Sequence, residues 1–444
     1  MKDKKLITPK HSIVRITGIF ESENIAKTEQ TFRNFGYLDE YINDTDDEKA
    51  KRKEFNKNYW YPEFRDIFFH KSDKNIAAKI LTKDIHEQVE FLRKDGKSSF
   101  IVEVAAAELF LFPNGLHFFS ISFSTDGFSL GQISDLTYFC RNFDTLLKSA
   151  AEIKWVNWVE KNILNDIRIY SGWDEKPIPV DEYSGSKFKL FTVLDIDREQ
   201  SPEIDSTVID ELLYDIGCVA PINSANGDTE LSPSSEYYNQ LLQSKVSVFK
   251  NFSMLPLFDS FTTVGYNLLG GVHQKKTYNI TYFRIYLFNL FIKYNLYRYN
   301  HEFRLDSLKT REKFESFLNN YNLSVISYNF LPNLIFEKHR ESMRIEAELE
   351  KFESRINKIT QAVQEVQQKR VNILLGLVTV VTSISSLEPL IGALTELENM
   401  LGWSDSVFFS ALTFLLIMFA IPAASFFFPE HKRQLMRKLR KNGI

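Results

Sequence analysis

The sequence predicts an α+β cytoplasmic domain followed by a long α-helical stalk and two C-terminal transmembrane helices. Three observations carry this expectation. Turn-bounded β-prone runs and helical patterns fill the first 330 residues. An apolar seam follows, at Ile345, Leu349, Phe352, Ile356, Ile359, Val363 and Val366; its steps of four and three are the 3.5-residue repeat of a helix with one buried stripe. Two uncharged stretches then approach the C-terminus. The expected division is a sensor domain over 1–330, a stalk over 331–370, a two-span pore module over 371–428 with an outer loop at 387–406, and a basic tail over 429–444.

Composition narrows the function classes. A net charge of -4 over 444 residues argues against direct nucleic-acid binding. Two cysteines, Cys140 and Cys218, are too few for a disulfide framework and fit a reducing compartment. The basic start, MKDKKLITPKHSIVRITGIF, lacks the apolar core of a secretory signal. The 39 Phe and 19 Tyr supply rigid apolar area for a core.

Along the chain, the run Asn43–Glu48 with Lys49, Lys51, Arg52 and Lys53 reads as a solvated loop and helix start, with no metal-ligand spacing. Ser99–Val104 and Glu108–Phe112 lead through Pro113-Asn114-Gly115 into Leu116–Phe123, a hairpin signal because Asn-Gly accepts positive φ. Helices are expected over 131–147 and 151–166. In the second, Trp155 and Trp158 fit a core face better than a stacking platform. Lys187–Asp197 alternates as a half-buried strand, which puts Asp195 and Asp197 on one face at its end. Such a pair could hold a divalent cation through oxygen ligands, or simply be solvated.

A helix at 204–215, a long loop at 218–240 and strands within 245–266 come next. Gly270, Gly271, Lys275 and Lys276 precede an apolar helix; they could cradle a phosphate or form a plain strand-to-helix connection. Tyr282–Tyr297 carries Arg284, Asn289, Lys293 and Asn295, polar groups that fit a buried helix of the domain rather than a membrane span. A further helix is expected over 304–319, and Pro332 marks the turn into the stalk.

From Val371 the chain has seventeen uncharged residues before Glu388. Asn372, Gly376, Thr379, Ser383 and Ser386 share one helix face there, either lining a pore or packing helices together. Val407–Phe428 forms a second uncharged stretch. Between them lie Glu388, Glu396, Glu398 and Asp405 without a Lys or Arg, while Lys369, Arg370 and the tail are basic. The positive-inside rule then predicts a multi-pass inner-membrane protein with both termini cytoplasmic. Glu396, Glu398 and Asp405 would ring the outer mouth, and lipids would be partners.

This layout resembles the CorA family of divalent-cation channels, most specifically over 330–444. The resemblance implies a homopentamer whose stalk-derived helices line the pore, and a divalent cation, Mg²⁺ in that family. The family's Gly-Met-Asn after the inner span has no counterpart in Ile391–Met400, IGALTELENM, so no selectivity residue is carried over. Relatives without that motif include CorA-like proteins encoded beside type III CRISPR systems, which look like membrane effectors responding to a nucleotide-type second messenger. No catalytic, zinc or phosphate-loop pattern is found, so an enzyme is not expected. The resulting expectation is a CorA-like oligomeric cation channel or transporter gated by its ligand-sensing domain; the alternative is a nucleotide-activated antiviral membrane effector.

Overall fold

A computed structural model describes residues 4–69, 76–93, 98–148, 153–169, 187–199, 204–227, 230, 232–305, 307–401, 410 and 413. The elements run β1 (His11–Glu21), α1 (Ile25–Asn34), β2 (Leu38–Asp39), α2 (Asp46–Tyr59), α3 (Pro62–Phe68), β3 (Lys79–Leu92), β4 (Ser99–Leu111) and β5 (Leu116–Ser124). Then come α4 (Leu130–Arg141), β6 (Leu146–Leu147), β7 (Ile153–Lys154), α5 (Trp155–Asn162), β8 (Lys189–Ile196), α6 (Ser206–Gly217) and α7 (Ser235–Leu242). Strands β9 (Phe252–Pro256) and β10 (Ser260–Tyr266) precede α8 (Val272–Lys276), a π-helical turn (Thr277–Tyr282) and α9 (Phe283–Leu305). Helices α10 (Ser307–Tyr321), α11 (Phe330–Ser342) and α12 (Ile345–Leu401) complete the order. The chain divides into two compact units, Met1–Phe352 and Glu353–Ile444.

The first unit is built on one ten-stranded mixed sheet in the order β7-β6-β3-β4-β5-β1-β8-β10-β9, with β2 on β3. Strand β1 lies between β5 and β8, antiparallel to both, and β8 pairs parallel with β10. Central strands covered on both faces carry near-continuous apolar runs, and β8 and β10 are buried at every position. One face of β1 sends Val14, Ile16 and Phe20 into a core shared with α4, α5 and α6. The other face meets α9 through an aromatic layer, in which Phe112 stacks on Phe291 at 3.9 Å and Phe191 meets Phe283 edge-on at 5.3 Å. Much of the phenylalanine content serves this second layer.

Several local expectations change in detail. Asn114-Gly115 does turn β4 into β5, but the connection is the four residues Phe112–Gly115 rather than a two-residue turn. Only Gly115 takes positive φ, +82°, and a Cβ there would sit 2.6 Å from the Ser22 carbonyl oxygen. Asn114 works through its side chain, accepting from the Leu116 N–H at 3.2 Å. The helix expected over 131–147 stops at Arg141, and 151–166 shortens to Trp155–Asn162 because β6 and β7 form a small antiparallel pair. Trp155 is a core residue whose indole N–H donates to the Cys140 carbonyl at 2.8 Å.

Helix α9 is buried on nearly all sides, and its polar residues find partners within the helix or across the unit, while the Asn289 Oδ1 and Arg284 Nη1 atoms have none among the described residues. The Asn289 and Asn295 amides donate back to the carbonyls of Ile285 and Phe291 at 2.9 and 2.8 Å. Arg284 pairs with Glu40, and Lys293 lies 3.4 Å from Glu348. Pro332 sits in the first turn of α11 rather than at the break before α12. That break is Arg344, a non-glycine residue at φ +52°.

The opening turns of α12 belong to the α+β unit. Ile345, Leu349 and Phe352 are buried, and Phe352 meets Phe303 and Phe314 edge-on at 5.2 and 4.5 Å. The start of the heptad seam is thus used within one chain.

The expectation of two transmembrane helices is overturned. Among the described residues, no helix is long and apolar enough to cross a membrane. The uncharged run from Val371 would span about 26 Å as a helix, against a hydrocarbon core of about 30 Å. Its polar residues lower its hydropathy further: Thr379, Thr382 and Ser385 each bond back to an α12 carbonyl at 2.8–2.9 Å. The stretch 387–401, expected as part of an outer loop, is helical to Leu401; its sequence is mostly strong helix formers. Val407–Phe428 lies outside the described residues apart from Ser410 and Thr413. The multi-pass inner-membrane placement with both termini cytoplasmic, and the ion-channel reading resting on it, are therefore withdrawn.

Burial also sets a pH dependence. The His339 ring on α11 is fully buried, 4.5 Å from the Phe261 ring and 5.1 Å from Tyr286, and neither nitrogen has a hydrogen-bond partner among the described residues. Burial pushes its pKa down to about 3. A depressed imidazole pKa means that only the unfolded chain gains the proton below pH 6.5. Stability should be full above that pH and fall below it, by up to about 1.4 kcal/mol per pH unit from this residue. Urea unfolding at pH 7.5 and 5.5 should show the loss, and His339→Leu should reduce the slope between the two, leaving the share of His117, whose pKa burial also lowers, to about 4.

Candidate functional site

A cleft of about 400 Å³ opens in the α+β unit between α2, the turn preceding it, and the α8–π-turn segment. Its volume lies in the range of small-molecule sites.

Local sequence explains each wall. Thr45 caps α2 in a capping box, its hydroxyl accepting from the Glu48 N–H while Glu48 reaches back to the Thr45 N–H at 2.8 Å. The acidic run read as a solvated loop and helix start is this cap, and it fixes which α2 residues face the cleft: Glu48, Lys51, Arg52, Phe55 and Asn56. The preceding turn presents Tyr41, held at φ +63°, and Asp44. The Arg52 guanidinium lies 3.9 Å above the Tyr41 ring and pairs with Asp44.

The far wall consists of His273, Lys276, Thr277, Ile280 and Thr281. Thr277 begins the π-helical turn, a widening of the helix that is frequent at functional sites. The turn is fastened to the sheet by Arg15 of β1. Arg15 Nη1 donates to both the carbonyl and the side-chain oxygen of Asn279 at 3.0 Å, Nη2 to Glu108 at 2.6 Å and Nε to Ser120 at 3.1 Å. Its guanidinium also lies 3.9 Å from the centre of the Phe283 ring.

Trp60 and Phe69 line the cleft as well, stacked at 5.3 Å and 14°. Beneath Phe69, 4.6 Å from its ring, is the buried guanidinium of Arg284, paired with Glu40. Burial raises the Tyr41 phenol well above its ordinary value, opposed by Arg284 and reinforced by Glu40.

Charge around the opening is mixed. Lys51 bonds Asp47 at 2.6 Å and Arg52 is paired, whereas Lys276 is exposed and has no ion-pair partner among the described residues. Glu48 is held below the usual carboxylate range by the Thr45 N–H, then the Thr45 hydroxyl, with Lys276 adding a smaller attraction.

Of the expected phosphate-cradle residues, only Lys276 lines the cleft; Gly270, Gly271 and Lys275 do not. Gly271 caps the short helix α8. Asp195 is fully buried, and its Oδ2 accepts from the Leu269 N–H at 2.9 Å, pinning the loop that carries those glycines. Asp197 accepts from the Glu199 N–H at 2.9 Å. No group of three His, Cys, Asp or Glu residues suited to a metal occurs among the described residues, so the structure does not gather Asp195 and Asp197 into a cation site. Asn372, Gly376 and Thr379 lie on α12, as do the backbones of Ser383, Ser386 and Glu398, whose side chains fall outside the description. Glu396 is exposed on the same helix, and Asp405 lies outside the described residues.

Sequence reasoning did not single out Tyr41, Phe55, Trp60 and Phe69. The one available signal was the Thr45–Glu48 box followed by a helix ending at Tyr59-Trp60, apolar groups at the close of an otherwise charged segment.

Arg15→Met should leave Glu108 and Asn279 without their donor. The expected loss is about 3 kcal/mol in urea unfolding, with faster amide exchange at 277–282 than elsewhere in the unit.

Comparison with family models, with curated proteins and with solved structures gives no match. The channel and CRISPR-associated roles therefore gain no family evidence, and the chain is assigned to no family.

Proposed function

We propose that this chain is a ligand-sensing protein whose recognition site is the α2–π-turn cleft, and that its ligand is a small anionic molecule with a flat ring, of nucleotide type. The observation that carries this reading is the pairing of an aromatic wall (Tyr41, Phe55 and Phe69) with Lys51, Arg52 and Lys276 at one opening, whose lining also includes Asp44 and Glu48. A ring gains stacking area on such a wall, and cations beside it hold phosphate oxygens through charge-assisted hydrogen bonds. The hydroxyls of Thr277 and Thr281 add short-range donors. Phe55 supports the same reading: it is 51% exposed, stacked on Tyr59 at 4.9 Å, in a helix that buries little else.

The test is calorimetric titration of the whole chain with nucleoside mono-, di- and triphosphates at low and high salt. Binding should weaken with salt. Lys276→Glu should raise Kd at least about tenfold, the size of one charged contact, without moving Tm, since Lys276 is exposed. Equal affinity in the variant, or no binding by any nucleotide, would remove the reading.

A further inference from the structure

Of the cations that line the cleft, Arg52 is already engaged. Its Nη1 pairs with the Asp44 carboxylate, and the two side chains, both on the lining, are 27% and 25% exposed. The pair is partly sheltered yet open to a solute, unlike Lys51 and Asp47, which are 74% and 72% exposed. An anion that is to reach the Arg52 fork must first displace Asp44.

The local backbone explains why Asp44 sits there. Tyr41 takes φ +63°, and the Asp44 N–H donates back to the Tyr41 carbonyl at 3.2 Å, closing a turn immediately before the Thr45 cap. The turn hands the carboxylate to a side chain that rises about two turns into α2. The Arg52 guanidinium lies 3.9 Å over the Tyr41 ring. Leaving that ring would cost the arginine its cation–π contact, so partners exchange at Arg52 rather than by its departure. A carboxylate and a phosphate present the same kind of charged oxygens to a guanidinium fork. Once displaced, the Asp44 carboxylate stays beside the N-terminus of α2, where the helix dipole favours a negative charge.

We propose that Asp44 is a built-in competitor of the cleft: in the empty protein it holds Arg52, and ligand binding exchanges it for a phosphate oxygen. The inference rests on the ligand-sensing reading above and adds the regulation of that site. The exchange keeps the affinity below what Lys51, Arg52 and Lys276 would give unopposed. It also ties occupancy of the cleft to release of the Asp44 side chain from α2, a change the empty protein does not make.

The probes are adenosine and guanosine 5′-monophosphates, titrated calorimetrically into the full chain at 0.15 M salt. The variants are Asp44→Asn, Glu48→Gln, Arg52→Met and the double variant Asp44→Asn with Arg52→Met; Asp44→Ser repeats the measurement should Asn at that turn fold poorly. Asp44→Asn should bind the preferred nucleotide about fivefold more tightly, the scale of one partly exposed ion pair. Glu48→Gln keeps the capping-box chemistry and removes one charge from the same lining without touching Arg52, so its gain should be less than about twofold. In the Arg52→Met background the gain from Asp44→Asn should vanish, because no pair is left to break. A gain that persists in that background, or that Glu48→Gln matches, would make Asp44 one more charge in the field and overturn the inference, with the sensing reading intact. Unchanged or weaker binding by Asp44→Asn would also overturn it. Binding of neither nucleotide to the wild-type chain or to Asp44→Asn would overturn both.

Discussion

The buried guanidinium of Arg15 is the constraint on which the site depends. It sits on β1, inside the ten-stranded sheet, and reaches a strand neighbour, a more distant strand and the π turn at once. Taking a charge out of water is costly, and the cost is offset only when the partners are in place. Arg15 therefore works as a three-way clamp: displacing the π turn strips hydrogen bonds from a charge that has no water to replace them. A hydrophobic contact of similar area would tolerate a slide of an ångström or two. This one does not, and the far wall of the cleft inherits that rigidity.

The opposite wall is held by different physics. Arg284, Phe69 and Trp60 form a stack of a cation and two aromatic systems, with Glu40 neutralising the cation from the side of the Tyr41 turn. Cation–π attraction is stronger for a desolvated cation, and Arg284 is almost wholly removed from solvent. Two buried arginines thus brace the two sides of one cleft, one from the sheet and one from the first turn of α9. Neither of these two guanidiniums lines the cleft, whose own lining mixes Tyr41, Phe55, Phe69 and Ile280 with Asp44, Glu48, Lys51, Arg52 and Lys276.

The fold was legible where the signal is local. Asn114-Gly115, the alternation through Lys187–Asp197 and the polar residues of Tyr282–Tyr297 each led to the right kind of element, although the strand Lys189–Ile196 is buried on both faces rather than half-buried. Strand β1 was not legible: HSIVRITGIFE carries a central arginine whose partners lie more than ninety positions away. The cleft was opaque for the same reason, because its walls come from residues 41–69 and 273–281 and a π turn has no sequence mark. Asp195 misled by looking like a surface acid at a strand end, when its role is to hold a backbone N–H in the interior. The long uncharged stretch after Val371 misled in another way. Lack of charge was read as fitness for lipid, although hydroxyls and an amide interrupt it throughout.

The sheet topology has a consequence for how the chain reaches its native state. Strand β1 is made first, yet it cannot complete its pairing until β8 exists, and β8 in turn waits for β10, some 250 residues after β1 began. Such distant pairings close slowly, because the loop entropy is lost before the contacts reward it. Helix α9 emerges last of the central elements, with apolar and aromatic groups on nearly every side. Until it docks, the faces of β4, β5 and β8 that it will cover stand open, a row of phenylalanines exposed to any neighbouring chain. Synthesis of this protein should therefore lean on chaperones most heavily between the completion of β5 and the docking of α9.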